Sequence, residues 1–161
     1  MAYKKTTWVE KRENPSGDIP KVVKVESKMV GRWGTKAGDT CAIATPKNVD
    51  GFMRKVPKGK VVTINELREM VAKKYKADMA CPITTGIFAW ICANAAEEER
   101  EEGEKEITPW WRTLKGDGEL NPKYPGAQSQ QKAMLESEGH KVVQKGKKYL
   151  VEGYERKLVK I

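Results

Sequence analysis

Val61-Val62-Thr63-Ile64-Asn65-Glu66-Leu67-Arg68-Glu69-Met70-Val71 is the stretch on which the fold turns. Val61-Val62-Thr63 is a short β-branched, extended piece. Thr63 followed by Glu66 spells a capping box, in which the hydroxyl satisfies one free N–H of a helix start and the carboxylate reaches back to another. Ile64, Leu67, Met70 and Val71 then recur at helical spacing, which predicts a helix to about Tyr75. A short connection over residues 76–80 leads to Cys81-Pro82, and proline is favoured at the first helical position. The second helix is predicted from Pro82 to about Glu99, with Ile83, Ile87, Trp90, Ile91 and Ala95 on one broad face. Two helices on a short link are the outline of a helix-turn-helix, an outline that helical hairpins without a nucleic-acid partner also share.

Working outward, Val49, Phe52 and Met53 predict a shorter helix ended by the turn Val56-Pro57-Lys58-Gly59-Lys60. Residues 1–48 hold scattered proline and glycine and read as an irregular N-terminal arm. It has a short extended piece at Val22-Val23-Lys24-Val25, and Trp8 and Trp33 are its candidate anchors. Residues 49–161 read as the domain proper. On the other side, residues 97–106 form a glutamate-rich run whose simplest reading is a solvated face. Residues 120–126 are a loop by local rules. A helix is predicted over about residues 127–138, with Ala127, Met134 and Leu135 turned inward and Gly139 as its left-handed cap. His140 is expected to place a cation at that helix end. Lys141-Val142-Val143-Gln144 and Lys148-Tyr149-Leu150-Val151 make a short hairpin with a lysine-rich tip. Behind a helix-turn-helix such a hairpin is a wing that sets Lys145, Lys147 and Lys148 beside a phosphate backbone.

The totals bound the function. With 161 residues and 39% apolar content, one modest core is expected. The longest apolar run, Ile87 to Ala93, is too short for a membrane span or a signal-peptide core. Cys41, Cys81 and Cys92 are an odd, sparse set without C-x-x-C spacing, which argues against zinc ribbons and disulfide frameworks and fits a reducing cytoplasm. His140 is the single histidine, too little for a metal site or a triad. No cofactor or metal is expected. A net charge of +9 points to a phosphate-bearing partner, usually nucleic acid, or to a lysine-rich soluble surface.

Thr108-Pro109-Trp110-Trp111-Arg112 carries the chemistry. An indole has a large apolar body and one N–H donor, with no acceptor and no titratable proton. Such a pair can stack on a flat group but cannot attack one. Taken in order, Val56-Pro57-Lys58-Gly59-Lys60-Val61, the helix pair, Pro109-x-x-Arg112, Tyr124-x-Gly126 and Leu135-Glu136-Ser137-Glu138-Gly139-His140 resemble the DNA-binding domain of the alkylguanine-DNA alkyltransferases. The resemblance covers about residues 49–151. It implies an α/β, mostly α fold of the winged helix-turn-helix type.

In that family the Pro-x-x-Arg motif reads Pro-Cys-His-Arg. The cysteine accepts the alkyl group, and the histidine, backed by a glutamate, relays its proton. Only a thiolate is nucleophilic enough for that transfer, and a base must make it. Here Trp110 and Trp111 stand at those positions, and Glu138 matches the glutamate. The resemblance is therefore to the non-catalytic alkyltransferase-like proteins, which bind the alkylated base and recruit nucleotide excision repair. It implies double-stranded DNA as partner, a cytoplasmic or nucleoid location, and a lesion pocket of Trp110, Trp111, Tyr124 and Arg112. The second helix would lie on DNA through Thr84, Thr85, Gly86 and Ala89. Three departures stand out: Gly86 occupies the place of the family's helix arginine, Ile64 that of a tyrosine, and Pro125 that of a base-contacting serine. The acidic run before Thr108 is unusual too, and Asn94 lies one place from the family's hinge asparagine. Cys92 could be a cryptic acceptor or a small packing residue, and Glu138 a structural residue or a catalytic relic. The open alternatives are a winged-helix module that has lost lesion recognition and an enzyme with an unrecognised site.

Overall fold

The computed structural model describes residues 7–26, 31 and 35–160. Trp33, expected as an anchor of the arm, lies outside them. In chain order the elements are α1 (Trp8–Glu13), β1 (Lys21–Lys24), β2 (Thr40–Ile43), α2 (Pro46–Arg54), β3 (Val62–Thr63), α3 (Ile64–Tyr75), β4 (Met79–Ala80), α4 (Pro82–Glu101), β5 (Thr113–Leu114), α5 (Ser129–Ser137), β6 (Val142–Lys145) and β7 (Lys148–Val151), with single 3-10 turns at Trp110–Arg112 and Tyr154–Lys157. The α/β fold class expected from the sequence is the one observed.

The helix pair forms as read. Thr63 and Glu66 make the reciprocal cap of α3, and Lys76 closes it in the left-handed region. Leu67 and Val71 are fully buried. Arg68 donates to the Ala80 carbonyl at 2.9 Å, fixing the link that carries the chain into α4. Helix α2 starts three residues earlier than the periodicity suggested, because Thr45 and Asn48 form a second capping box ahead of Pro46.

Helix α4 turns a different face inward from the one its large residues suggest. Thr85, Ala89, Cys92, Ala93, Ala95 and Ala96 are buried, whereas Ile83 and Ile87 are 60% and 46% exposed. Small side chains let the α4 backbone approach α2 and α3 closely, so packing density rather than side-chain size decides the face. Helix α5 also differs from expectation. Ala127 and Gln128 take positive φ, which delays its start to Ser129, so Ala127 is exposed while Leu135 and the polar Gln131 are buried. The main core joins Val49, Met53, Val62, Leu67, Val71, Ala89, Cys92 and Trp110. A second cluster of Val61, Leu114, Leu120, Leu135 and Val151 lies under the hairpin, and Trp111 packs against both.

The N-terminal arm is more regular than its composition indicates. Strand β1 pairs antiparallel with β2, and β2 pairs parallel with β4, so the arm shares a sheet with the link between α3 and α4. Its helix α1 docks on α4 through the glutamate run. Glu98 accepts from the N–H groups of Trp8 and Val9 at 3.0 and 2.9 Å, placing a carboxylate on a helix N-terminus. Buried Arg12 pairs with Glu99 and Glu13. Residues 97–99 are thus partly buried and partnered, not a solvated face, while residues 101–106 are exposed. Arg12→Gln is expected to weaken arm docking by about 1.5–3 kcal/mol, the range for hydrogen bonds to charged groups. Limited proteolysis should then cut within residues 13–44 faster than in the parent protein.

Candidate nucleic-acid interface

The chain reaches its tryptophan pair through Thr108, whose hydroxyl donates to Asp50 on α2. Pro109 then directs the 3-10 turn inward. Trp110 is completely buried. Its Nε1–H donates to Glu97 Oε1 at 3.0 Å, and its ring meets Trp111 and Tyr124 edge-on at 6.0 and 5.9 Å. Tyr124 is buried as well, and burial pushes its hydroxyl pKa well up. Neither ring faces an opening, which corrects the expectation that they line a lesion pocket. The sealed position follows from the partners: Glu97 saturates the one polar atom of Trp110 and also takes Gln130 Nε2 at 2.9 Å.

Trp111 and Arg112 are largely buried and share one acceptor. Trp111 Nε1–H donates to Glu138 Oε2 at 3.0 Å. Arg112 grips the same carboxylate in two places, Nε to Oε1 at 2.9 Å and Nη2 to Oε2 at 2.7 Å, and donates from Nη1 to the Val56 carbonyl at 2.7 Å. Burial pushes the Glu138 carboxyl up, but hydrogen bonds from Arg112 and Trp111 outweigh it and hold the group below its ordinary value. Glu138 is a structural clamp here, and what it supports is an indole N–H that does not titrate. His140 differs from its expected role. It is buried, with Nε2 lacking a partner, and burial lowers its pKa, so it adds no cation at the helix end. Its backbone N–H, donating to the Leu135 carbonyl at 3.1 Å past left-handed Gly139, closes α5 instead.

The open concavity lies one layer out, between α4 and the loop after β5. Ile83, Gly86, Ile87 and Trp90 form one wall, and Asn121 and Lys123 form the other, around about 400 Å³. That is inside the range of about 300–1,000 Å³ usual for ligand clefts. Trp90 Nε1–H donates to the Lys123 carbonyl at 3.0 Å and so spans the cleft floor from helix to loop. Its ring is braced from behind by Trp8 of α1, edge-on at 4.7 Å, with the Lys11 ammonium 4.3 Å from the Trp8 ring. The loop is held by Gln131. Its Oε1 accepts from Asn121 N at 3.2 Å, and its Nε2 donates to the carbonyls of Trp111 and Thr113 at 3.1 and 3.0 Å. Gly126 is needed at the end of this loop, where φ is +80° and a Cβ would sit 2.5 Å from Gln130 Cβ.

Of the α4 residues expected at the interface, Gly86 lines this cleft and Thr84 lines a neighbouring one of about 660 Å³ against the arm. Thr85 and Ala89 are buried, and Thr85 Oγ1 donates to the Cys81 carbonyl at 2.7 Å, so neither can meet DNA. Lys145, Lys147 and Lys148 are exposed at the hairpin tip, as expected. Trp90, Asn121 and Lys123 were not singled out from the sequence. The signal that could have found Trp90 is its place one and two helical turns from Ile87 and Ile83, on a helix already assigned to the interface.

Cys92 is no cryptic acceptor. It is fully buried, its Sγ donates to the Pro46 carbonyl at 3.2 Å, and burial raises its pKa well above that of a free thiol. A thiol that stays protonated is not a nucleophile. Among the described residues, no group of three or more His, Cys, Asp or Glu could hold a metal ion, and no helix is long and apolar enough to cross a membrane.

No family model matches the chain, and no curated protein matches it. Its fold is similar to that of solved structures bound to DNA. The structure of S. pombe Atl1 in complex with damaged DNA containing O6-carboxymethylguanine matches with a TM-score of 0.50 and 20% identity, covering 72% of this chain and 94% of that one. A structure of S. pombe ATL in complex with DNA gives a TM-score of 0.46 at 19% identity with the same coverage.

Proposed function

We propose that the protein binds duplex DNA, recognises alkylated guanine swung out of the helix, and leaves the lesion chemically intact for other repair proteins to remove. The observation that carries this reading is the cleft walled by Trp90, beside the exposed Ile83 and Ile87 of α4 in a +9 chain. The match to Atl1 in its complex with damaged DNA supports the same direction. Extruding a base costs a few kcal/mol, roughly, and stacking on an aromatic returns about 1–3 kcal/mol per base. Trp90 supplies that stacking surface, in place of the sealed Trp110. Lys123 at the rim and the lysines of the hairpin tip supply contacts to phosphate.

Chemistry on the alkyl group has no agent here. The cleft lining offers an indole, an amide, an ammonium and aliphatic groups, and no thiol. Trp110 and Trp111 hold the positions where a nucleophile and its base would act. Without transfer, binding itself is the output, and removal falls to a nuclease system recruited to the bound lesion.

Fluorescence anisotropy with matched duplexes, with and without one O6-alkylguanine, tests the reading. Preference for the alkylated duplex is expected. Trp90→Ala should reduce that preference by about 5- to 100-fold, the equivalent of one lost stack, with little change for undamaged duplex. Equal affinity for the two duplexes in the parent protein would sink the proposal. Label moving from the alkyl group to the protein would sink the non-enzymatic part. Binding should also fall steeply with salt, since each phosphate contact releases a counterion. A second reading, a winged-helix module for undamaged duplex alone, is favoured by the sealing of Trp110, and the same titration separates the two.

A further inference from the structure

On the arm, Val22 and Val23 are adjacent on β1 and exposed at 44% and 38%. Strand β1 is exposed along its whole length. It is the outer member of the sheet β1-β2-β4, so among the described residues its far edge has no strand beside it. One bond sets the phase of that edge. Val25 N–H donates to the Asp39 carbonyl at 2.7 Å, continuing the ladder with β2. Backbone groups of successive residues in an antiparallel ladder point to opposite sides. Lys21, Val23 and Val25 therefore turn their N–H and C=O groups to β2, and Val22 and Lys24 turn theirs outward. Lys21 and Lys24 bracket the two valines, and among the described residues no ion pair engages either lysine.

The charges decide what fits this edge. Antiparallel pairing with a second copy of β1 sets Lys21 opposite Lys24 twice, and like charges directly opposite destabilise a ladder. Lysines on an edge are a common guard against such self-pairing. A phosphate backbone answers the lysines but leaves the valines uncovered and offers no N–H to the outward carbonyls. A strand that is acidic at both ends and apolar between them answers the lysines, the valines and the backbone together. We infer that β1 is a docking edge at which an extended segment of a partner protein, patterned acidic-apolar-apolar-acidic, adds as a further strand. Main-chain hydrogen bonds hold such a segment and its side chains give the selectivity. The site lies on the arm, ahead of residues 49–151, and requires no lesion in DNA.

The test uses the full chain without DNA, so its outcome is separate from that of the lesion reading. The probe is a fluorescein-labelled peptide, Thr-Glu-Val-Val-Glu-Thr, followed by anisotropy and by residue-resolved amide exchange. Saturable binding is expected, with exchange slowed at Val22 and Lys24. Val22→Pro removes an outward donor and leaves the ladder to β2 intact, so it should weaken binding about tenfold. Lys21→Glu/Lys24→Glu should lose this peptide and bind Thr-Lys-Val-Val-Lys-Thr instead, with a melting temperature close to the parent's. That exchange of preference is beyond the reach of a variant that merely misfolds. No saturable binding by the parent protein, or equal binding of both peptides, overturns the proposal. So does protection of Val22 and Lys24 by duplex DNA but not by peptide, or by self-association at high protein concentration.

Discussion

Trp110→Ala is expected to destabilise the protein by about 3–5 kcal/mol, the range for removing a fully buried aromatic side chain. The indole is sealed in the main core and touches three elements: the end of α4 through Glu97, the loop before α5 through Tyr124, and its own turn through Trp111. Each edge-to-face pair adds about 0.5–1.5 kcal/mol beyond buried area. Truncation also leaves Glu97 without one of its donors. Urea denaturation followed by far-ultraviolet circular dichroism measures the loss, and a change under about 1 kcal/mol would mean the ring is not in the interior. A sharper form of the experiment installs a cysteine–histidine pair, Trp110→Cys with Trp111→His. No alkyl transfer is expected, because the new thiol would enter the same sealed space as Cys92, where burial raises the thiol pKa. Transfer of label to that variant would show that the turn opens on DNA.

The second large effect belongs to the Arg112–Glu138 pair. Their side chains are 14% and 7% exposed. Removing one partner of a buried, bidentate pair strands the other charge and costs about 3–5 kcal/mol. Arg112→Ala also frees the Val56 carbonyl, and Glu138→Gln leaves two Arg112 nitrogens and Trp111 Nε1 competing for one carbonyl oxygen. Thermal melts should place both variants well below the parent protein, whereas a pair that merely decorates the surface would leave them within about 0.5 kcal/mol.

The pair also sets a pH dependence. The Glu138 pKa lies below its ordinary value in the folded state, so its stabilisation is present above the ordinary carboxylate value and is lost as pH falls through the folded one. His140 acts in the same direction at higher pH. Its folded pKa lies below the reference value of 6.5, so the unfolded chain takes up that proton first and stability begins to fall below about 6.5. Acidification should therefore weaken the protein in two stages. Glu138→Gln should reduce the lower stage, to which Glu13 and Asp78, also held below their ordinary values by hydrogen bonds, contribute as well, and His140→Phe should flatten the upper one. A parent protein whose stability is flat from pH 7 to pH 5 would contradict the burial of His140.

How far the sequence reveals this molecule depends on the range of the interactions. Capping boxes, Pro82 at a helix start, Gly139 and the hairpin are local, and Thr63–Glu66 placed α3 to the residue. The inward face of α4 was not legible, because its packing uses alanine, threonine and cysteine while its largest apolar residues face out. The glutamate run read as solvated because its partners, Trp8 and Arg12, lie nearly 90 residues away in the chain. The tryptophan pair read as a pocket for a related reason: nothing local announces that Glu97 will satisfy Trp110. Trp90 was overlooked because the cleft it walls is closed by a loop reaching Lys123, 33 residues further on. The expectation at Pro109-x-x-Arg112, by contrast, rests on residue types alone, since an indole offers neither a thiolate nor a titratable base.

The bracing of Trp90 by Trp8 has a practical corollary. A shortened version beginning near Pro46 would keep the central helices while stripping the support from behind the ring, so its affinities would describe a looser receptor.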